Sequence, residues 1–153
     1  MKNTIAKILS LCVLLIFTGC ATCHIATSQK PDIAVNVLAK TVSSWDGNLL
    51  PFYPEGQPEI TILRIRVEPG VSLAMHKHPV INAGVLIEGQ LTVMAEDGAI
   101  LRLKAGDGIV ELVDKWHYGR NDGEIPAEII VFYVGTKDGP ITVHQDTIKK
   151  NPV

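Results

Sequence analysis

The sequence predicts an all-β domain, a single small barrel or sandwich. Three observations predict it. Short stretches that alternate apolar and polar residues follow one another from Glu59 onward. Gly, Pro and Asp-Gly breaks separate them at close, regular spacing. After the first segment of the chain, no long apolar pattern with a 3.6-residue period is found, so helices are not expected to build the core. A chain of 153 residues is long enough for one domain with a real core, and a second is not expected.

The first element is expected to lie outside that domain. Lys2 and Lys7 precede the apolar residues 8–17, and Thr18-Gly19-Cys20 follows. A basic start, a short apolar stretch and small residues before a cleavage point read as a secretory signal over residues 1–19, too short for a comfortable membrane span. The Cys after Thr-Gly makes it resemble the signal of bacterial lipoproteins. That resemblance implies lipid on Cys20, an exported protein anchored to a membrane surface, and the periplasmic side if the cell is Gram-negative. Phe17 departs from the small aliphatic residue usual there. Cys12 would leave with the signal and Cys23 would stay as a free thiol, so no disulfide is expected to hold the fold.

Residues 20–44 mix small, polar and apolar types without a period and read as a tether. The domain proper is expected over residues 45–140. It opens with turn-rich segments around Trp45-Asp46-Gly47 and over residues 51–58. In residues 59–67, Thr61, Leu63, Ile65 and Val67 alternate with Ile62, Arg64 and Arg66, which marks a half-buried strand with its charges outward. Pro69-Gly70 ends it. Further strands are expected over 72–78, 84–87, 90–95, 99–103, 108–113 and 128–134. Asp97-Gly98 provides a tight hairpin turn. Residues 141–153 form a polar tail with one more short strand over 141–144. The formal charge is −2, with no basic run interleaved with aromatics, so nucleic acid is not expected as a partner.

The chemistry-bearing residues are histidines. On a strand, His76 and His78 point to the same face, because side chains alternate with period two. Two imidazoles on an inward face, with His117 from a later strand, can hold one divalent metal ion. His24 and His144 fall in the tether and tail and read as surface residues. Glu111 stands in an otherwise apolar stretch with Ile109, Val110, Leu112 and Val113. An acid there sits either at a solvated edge or inside, beside the metal, as ligand or general base.

These residues resemble the cupin family. Its first motif runs Gly, five residues, His-x-His, three or four residues, Glu, six residues, Gly; Gly70, His76, His78 and Gly89 fall in register. Its second runs Gly, five residues, Pro-x-Gly, two residues, His, three residues, Asn; Gly106, His117 and Asn121 fall in register. The resemblance implies a jelly roll, the cupin double-stranded β-helix, with His76, His78 and His117 as ligands of iron, manganese, nickel or zinc. Asn82 replaces the Glu that is usually the fourth ligand, and Leu112 and Asp114 replace the Pro and Gly of the second motif. A neutral amide oxygen is a poorer ligand than a carboxylate. Asn82 or Glu111 is then expected to orient substrate or water, and Asn121 to cap a turn. Cupins include dioxygenases, isomerases, decarboxylases and non-catalytic binders, and many pair edge strands as homodimers. Two readings stand. One is a metal-dependent, dioxygenase-like enzyme acting on a small organic molecule. The other is a non-catalytic small-molecule-binding module at the cell envelope.

Overall fold

The computed structural model describes residues 33–146. The expectations for the signal, Cys20, Cys23 and His24 lie outside the described residues. Among the described residues, nine strands build the domain: β1 (Pro58–Val67), β2 (His76–Lys77), β3 (Ile81–Glu88), β4 (Gln90–Ala95), β5 (Ile100–Lys104), β6 (Gly108–Val110), β7 (His117–Arg120), β8 (Ala127–Thr136) and β9 (Val143–His144).

They form two antiparallel sheets, ordered β1-β8-β3-β6 and β5-β4-β7-β2-β9. Val67, Leu86, Ile109, Ile129, Val131 and Tyr133 from the first sheet meet Leu91, Val93 and Leu103 from the second in one buried core. The all-β expectation holds and the layout is that of a jelly roll. The two sheets pack face to face and do not close into one hydrogen-bonded barrel.

The strand phase follows the apolar alternation. In β1, Thr61, Ile65 and Val67 are the sheltered positions, and Arg64 and Arg66 turn outward to Glu128. Asn82, Gly84 and Leu86 take the buried face of β3. Asp97-Gly98 turns the chain from β4 into β5, with Gly98 at φ 88°. Several strands differ in extent from expectation; β6, expected over 108–113, ends at Val110, so Glu111 follows it. The stretch over 72–78 pairs regularly only at His76–Lys77, because Pro69-Gly70 and Pro79 flank it and Ser72 makes a lone bridge to Arg120. The later strand expected to carry His117 is β7: His117-Tyr-Gly-Arg120 is short, and Gly119 lacks strand propensity, yet it pairs with both β4 and β2.

Gly89 shows why the first motif ends on glycine. It has φ 72°, and a Cβ there would lie 2.4 Å from the carbonyl oxygen of Pro126. Gly98 shares the left-handed conformation but faces open space. Gly89→Ala should therefore cost about 2–4 kcal/mol of stability, against about 1 kcal/mol for Gly98→Ala. Urea denaturation of the two variants checks this; equal losses would refute the close-approach argument.

Candidate metal centre

The register of the second sheet assembles the site. β2 lies between β7 and β9, which sets His76 opposite His117 on one side and opposite His144 on the other. The His76 and His117 ring centroids are 4.6 Å apart, His76 and His78 5.0 Å, and His78 and His117 5.1 Å. One ring nitrogen from each of the three lies within 4.8 Å of the others. The structure thus brings together the three histidines that the sequence singled out. His78 and His117 are buried and His76 is half-buried.

Backbone carbonyls orient all three rings. The Nδ1 of His76 is 2.7 Å from the Ala74 oxygen, that of His78 is 2.9 Å from the Ile141 oxygen, and that of His117 is 2.8 Å from the Lys115 oxygen. A carbonyl only accepts, so each Nδ1 carries the proton and each Nε2 keeps its lone pair. Such outer contacts fix the tautomer and ring direction of a metal-binding imidazole. Burial keeps the rings neutral: it lowers His76, takes His78 down to about 3 and His117 to about 4, and the carbonyl bonds only partly oppose it.

Glu111 is buried, so the edge alternative is excluded. Its Oε2 stands 3.6 Å from the His117 Nε2, and neither atom has a hydrogen-bond partner. Burial pushes the Glu111 carboxyl up to about 7, against a smaller lowering from the Leu112 amide. A buried lone pair and a buried carboxylate oxygen that face each other unsatisfied suit a cation between them. The donor set, three imidazoles and one carboxylate, fits a divalent transition metal.

Asn82 lies on the inner face of β3 opposite Tyr133, and its backbone oxygen accepts from the Glu111 amide at 3.1 Å. Its buried side chain donates through Nδ2 to the Val80 oxygen at 3.3 Å, while its Oδ1 has no hydrogen-bond partner. Asn121 caps the following loop: Nδ2 donates to the Val67 and Ile125 oxygens at 2.9 and 2.8 Å, and Oδ1 accepts from the Gly123 amide at 2.8 Å. Asp114, at the family's glycine position, keeps the left-handed conformation at φ 54°, and its amide donates to the His78 oxygen at 2.8 Å. Lys77 points away from the cluster, to Asp114 at 3.0 Å.

Three features went unseen in the sequence. Tyr133 lines the cavity and meets the His78 ring edge-on at 5.3 Å, but its strand is apolar on both faces and gives no periodic signal. His144, expected as a plain surface residue, is exposed as expected, but its ring lies 6.0 Å from His76 because β9 pairs with β2. Lys115 lends its carbonyl to His117 while its ammonium bridges Asp46 at 2.8 Å and Asp97 at 2.6 Å. Burial works to raise Asp46, but the hydrogen bonds from Lys115 and Asn48 together with the Lys115 charge hold its carboxyl below the ordinary range.

The Cupin domain family matches residues 63–133. Among solved structures, the chain is similar to the oxalate decarboxylase of Lactobacillus farciminis in its formate complex, at 19% identity and a TM-score of 0.52, over 61% of this chain and 29% of that one. It is also similar to the DMSP lyase DddQ of Ruegeria pomeroyi, at 19% identity and a TM-score of 0.50, over 56% of this chain and 43% of that one. An oxalate oxidase gives 21% identity and a TM-score of 0.48, over 56% of this chain and 46% of that one. The chain spans less than half the length of each of these structures. No curated protein matches. The matched segment and the shared fold support the cupin superfamily.

The titrating groups make the metal-free chain sensitive to acid. Unfolded histidines take up protons near their ordinary 6.5, which the folded rings refuse down to about 3 and 4 for His78 and His117. Stability therefore falls as pH drops below 6.5. Glu111 acts the other way, since its folded carboxyl holds a proton between 4.5 and about 7 that the unfolded chain has released. Three imidazoles outweigh one carboxyl, which leaves a slope of about 1–3 kcal/mol per pH unit from 6.5 to 5. Glu111→Gln removes the opposing effect and should steepen it. Urea unfolding of the chelator-treated chain across this range tests both; a flat profile would count against neutral buried rings.

Proposed function

We propose that this chain is a metal-binding cupin whose centre uses His76, His78 and His117 as ligands and acts on a small organic molecule. The observation that carries the proposal is the convergence of three imidazoles whose Nδ1 atoms are all held by carbonyls and whose ligand nitrogens lie within 4.8 Å of one another. A divalent ion with open positions polarises a carbonyl or a water, or, as iron, supports oxygen chemistry.

The protein's own residues do the rest. Glu111, beside His117, is placed to orient a water or a substrate donor, or to take a proton from it. It takes the part that the family's motif gives to the position of Asn82. Leu73, Leu91, Val93, Ile129 and Val131 exclude bulk water and strengthen the electrostatics within the cavity. Asn82 favours a second reading, a binder without turnover, because the position of the usual fourth ligand holds a neutral amide whose Nδ2 is engaged by the Val80 oxygen.

Elemental analysis of the purified full-length chain tests the metal. About one equivalent of iron, manganese, nickel or zinc is expected, falling below about a tenth in His117→Ala and unchanged in His144→Ala. Equal metal in the wild type and His117→Ala would sink the proposal. Turnover lost with the metal separates the enzyme from the binder.

The signal-like start supports a place for this activity. We propose an exported protein, lipid-anchored at the cell envelope through Cys20. Fractionation of expressing bacteria should put the wild type with membranes and Cys20→Ser in the soluble exported fraction. A soluble wild type would refute the anchor.

A further inference from the structure

Two cavities meet at the histidine cluster. The inner one, of about 40 Å³, holds Glu111 and the three histidines. The outer one, of about 240 Å³, adds Leu63, Ala74, Thr142 and His144. The two share Ile65, Leu73, His76, His78 and Tyr133, so the outer cavity adjoins the centre.

We propose that the outer cavity seats an uncharged small molecule with an apolar body, which presents one nitrogen or oxygen donor to the centre past His76 and His78. This inference rests on the metal-binding reading. Volume makes the first argument. The inner space accommodates a donor group of one or two water-sized atoms, and the body of any larger ligand must lie outside it. The walls make the second. Leu63, Ile65, Leu73 and Ala74 present hydrocarbon, and the polar groups beside them are neutral hydroxyls of Thr142 and Tyr133 and the imidazole of His144. The Thr142 hydroxyl is already engaged with the His78 Nδ1 at 3.2 Å.

Charge makes the third argument. Among the described residues, no Lys or Arg lines either cavity. Arg64 and Arg66, on the strand that carries Leu63 and Ile65, turn outward to Glu128 and Glu68. The inner cavity holds an acid, Glu111. A carboxylate on the ligand body would lose its hydration against hydrocarbon and find no cationic side chain. An apolar body gains by leaving water, in proportion to the area covered.

The test uses the full-length chain loaded with Co²⁺ and three probes followed by visible absorption: imidazole, 4-phenylimidazole and 4-(imidazol-4-yl)benzoate. The phenyl group should tighten binding about tenfold or more over imidazole, and the added carboxylate should remove that gain. Ala74→Phe, which fills the outer cavity from an exposed position, should bring imidazole and 4-phenylimidazole within about threefold, with both affinities read on the cobalt-loaded fraction. Leu63→Lys should restore binding of the benzoate probe. Equal affinities for the three probes in the cobalt-loaded wild type, or a phenyl preference that survives in Ala74→Phe, would overturn the inference and leave the metal centre standing. A chain that takes up no cobalt overturns the metal reading, and this inference with it.

Discussion

The pairing of two very short strands is the constraint on which the centre depends. β2 contributes only His76 and Lys77 to the second sheet, yet it stands between β7 and β9. Antiparallel register sets His76 against His117. A slip of one residue would turn His76 toward the opposite face and bring Lys77 into the cluster. The site is therefore a property of register before it is a property of any one histidine. The bonds that hold the register come from outside the strand: the Leu73 amide to the Gly119 oxygen at 2.8 Å, the Asp114 amide to the His78 oxygen at 2.8 Å, and the Gln145 amide to the Met75 oxygen at 3.1 Å.

The same backbone that fixes position also fixes chemistry. Each of the three rings gives its Nδ1 proton to a carbonyl from a different segment: one just before β2, one just before β9 and one just before β7. Burial then withholds protons from the remaining nitrogens. Glu111 meets the same burial with the opposite preference, since a carboxyl in that environment keeps its proton. Without a metal, the Glu111 Oε2 and the His117 Nε2 stay buried and unpartnered. With a cation present, the acid is the group best placed to release its proton.

Much of this was legible in sequence, and unevenly so. The three histidines were, because motif spacing survives even where strand propensity is poor. The sheltered face of β1 and the Asp97-Gly98 turn were, because alternation and turn chemistry are local. Tyr133 was not, since β8 is apolar on both faces and offers no phase. His144 was not, because its place depends on a pairing between residues far apart in the chain. Glu111 was half legible: its apolar surroundings marked it as unusual, but only the packed sheets show that it faces inward. Asp114 illustrates the reverse case. Its identity departs from the motif, while its backbone retains the conformation that the motif's glycine exists to provide.

Lys115 joins two regions that the cavity itself does not connect. Its carbonyl steers an interior imidazole, and its ammonium is held by Asp46 from the turn after Trp45 and Asp97 from the hairpin between β4 and β5. The carbonyl that orients His117 thus belongs to a residue anchored by two acidic side chains at the periphery of the molecule. Asp46 and Asp97, in two outer turns, therefore hold the residue that orients His117, although neither lines the cavity.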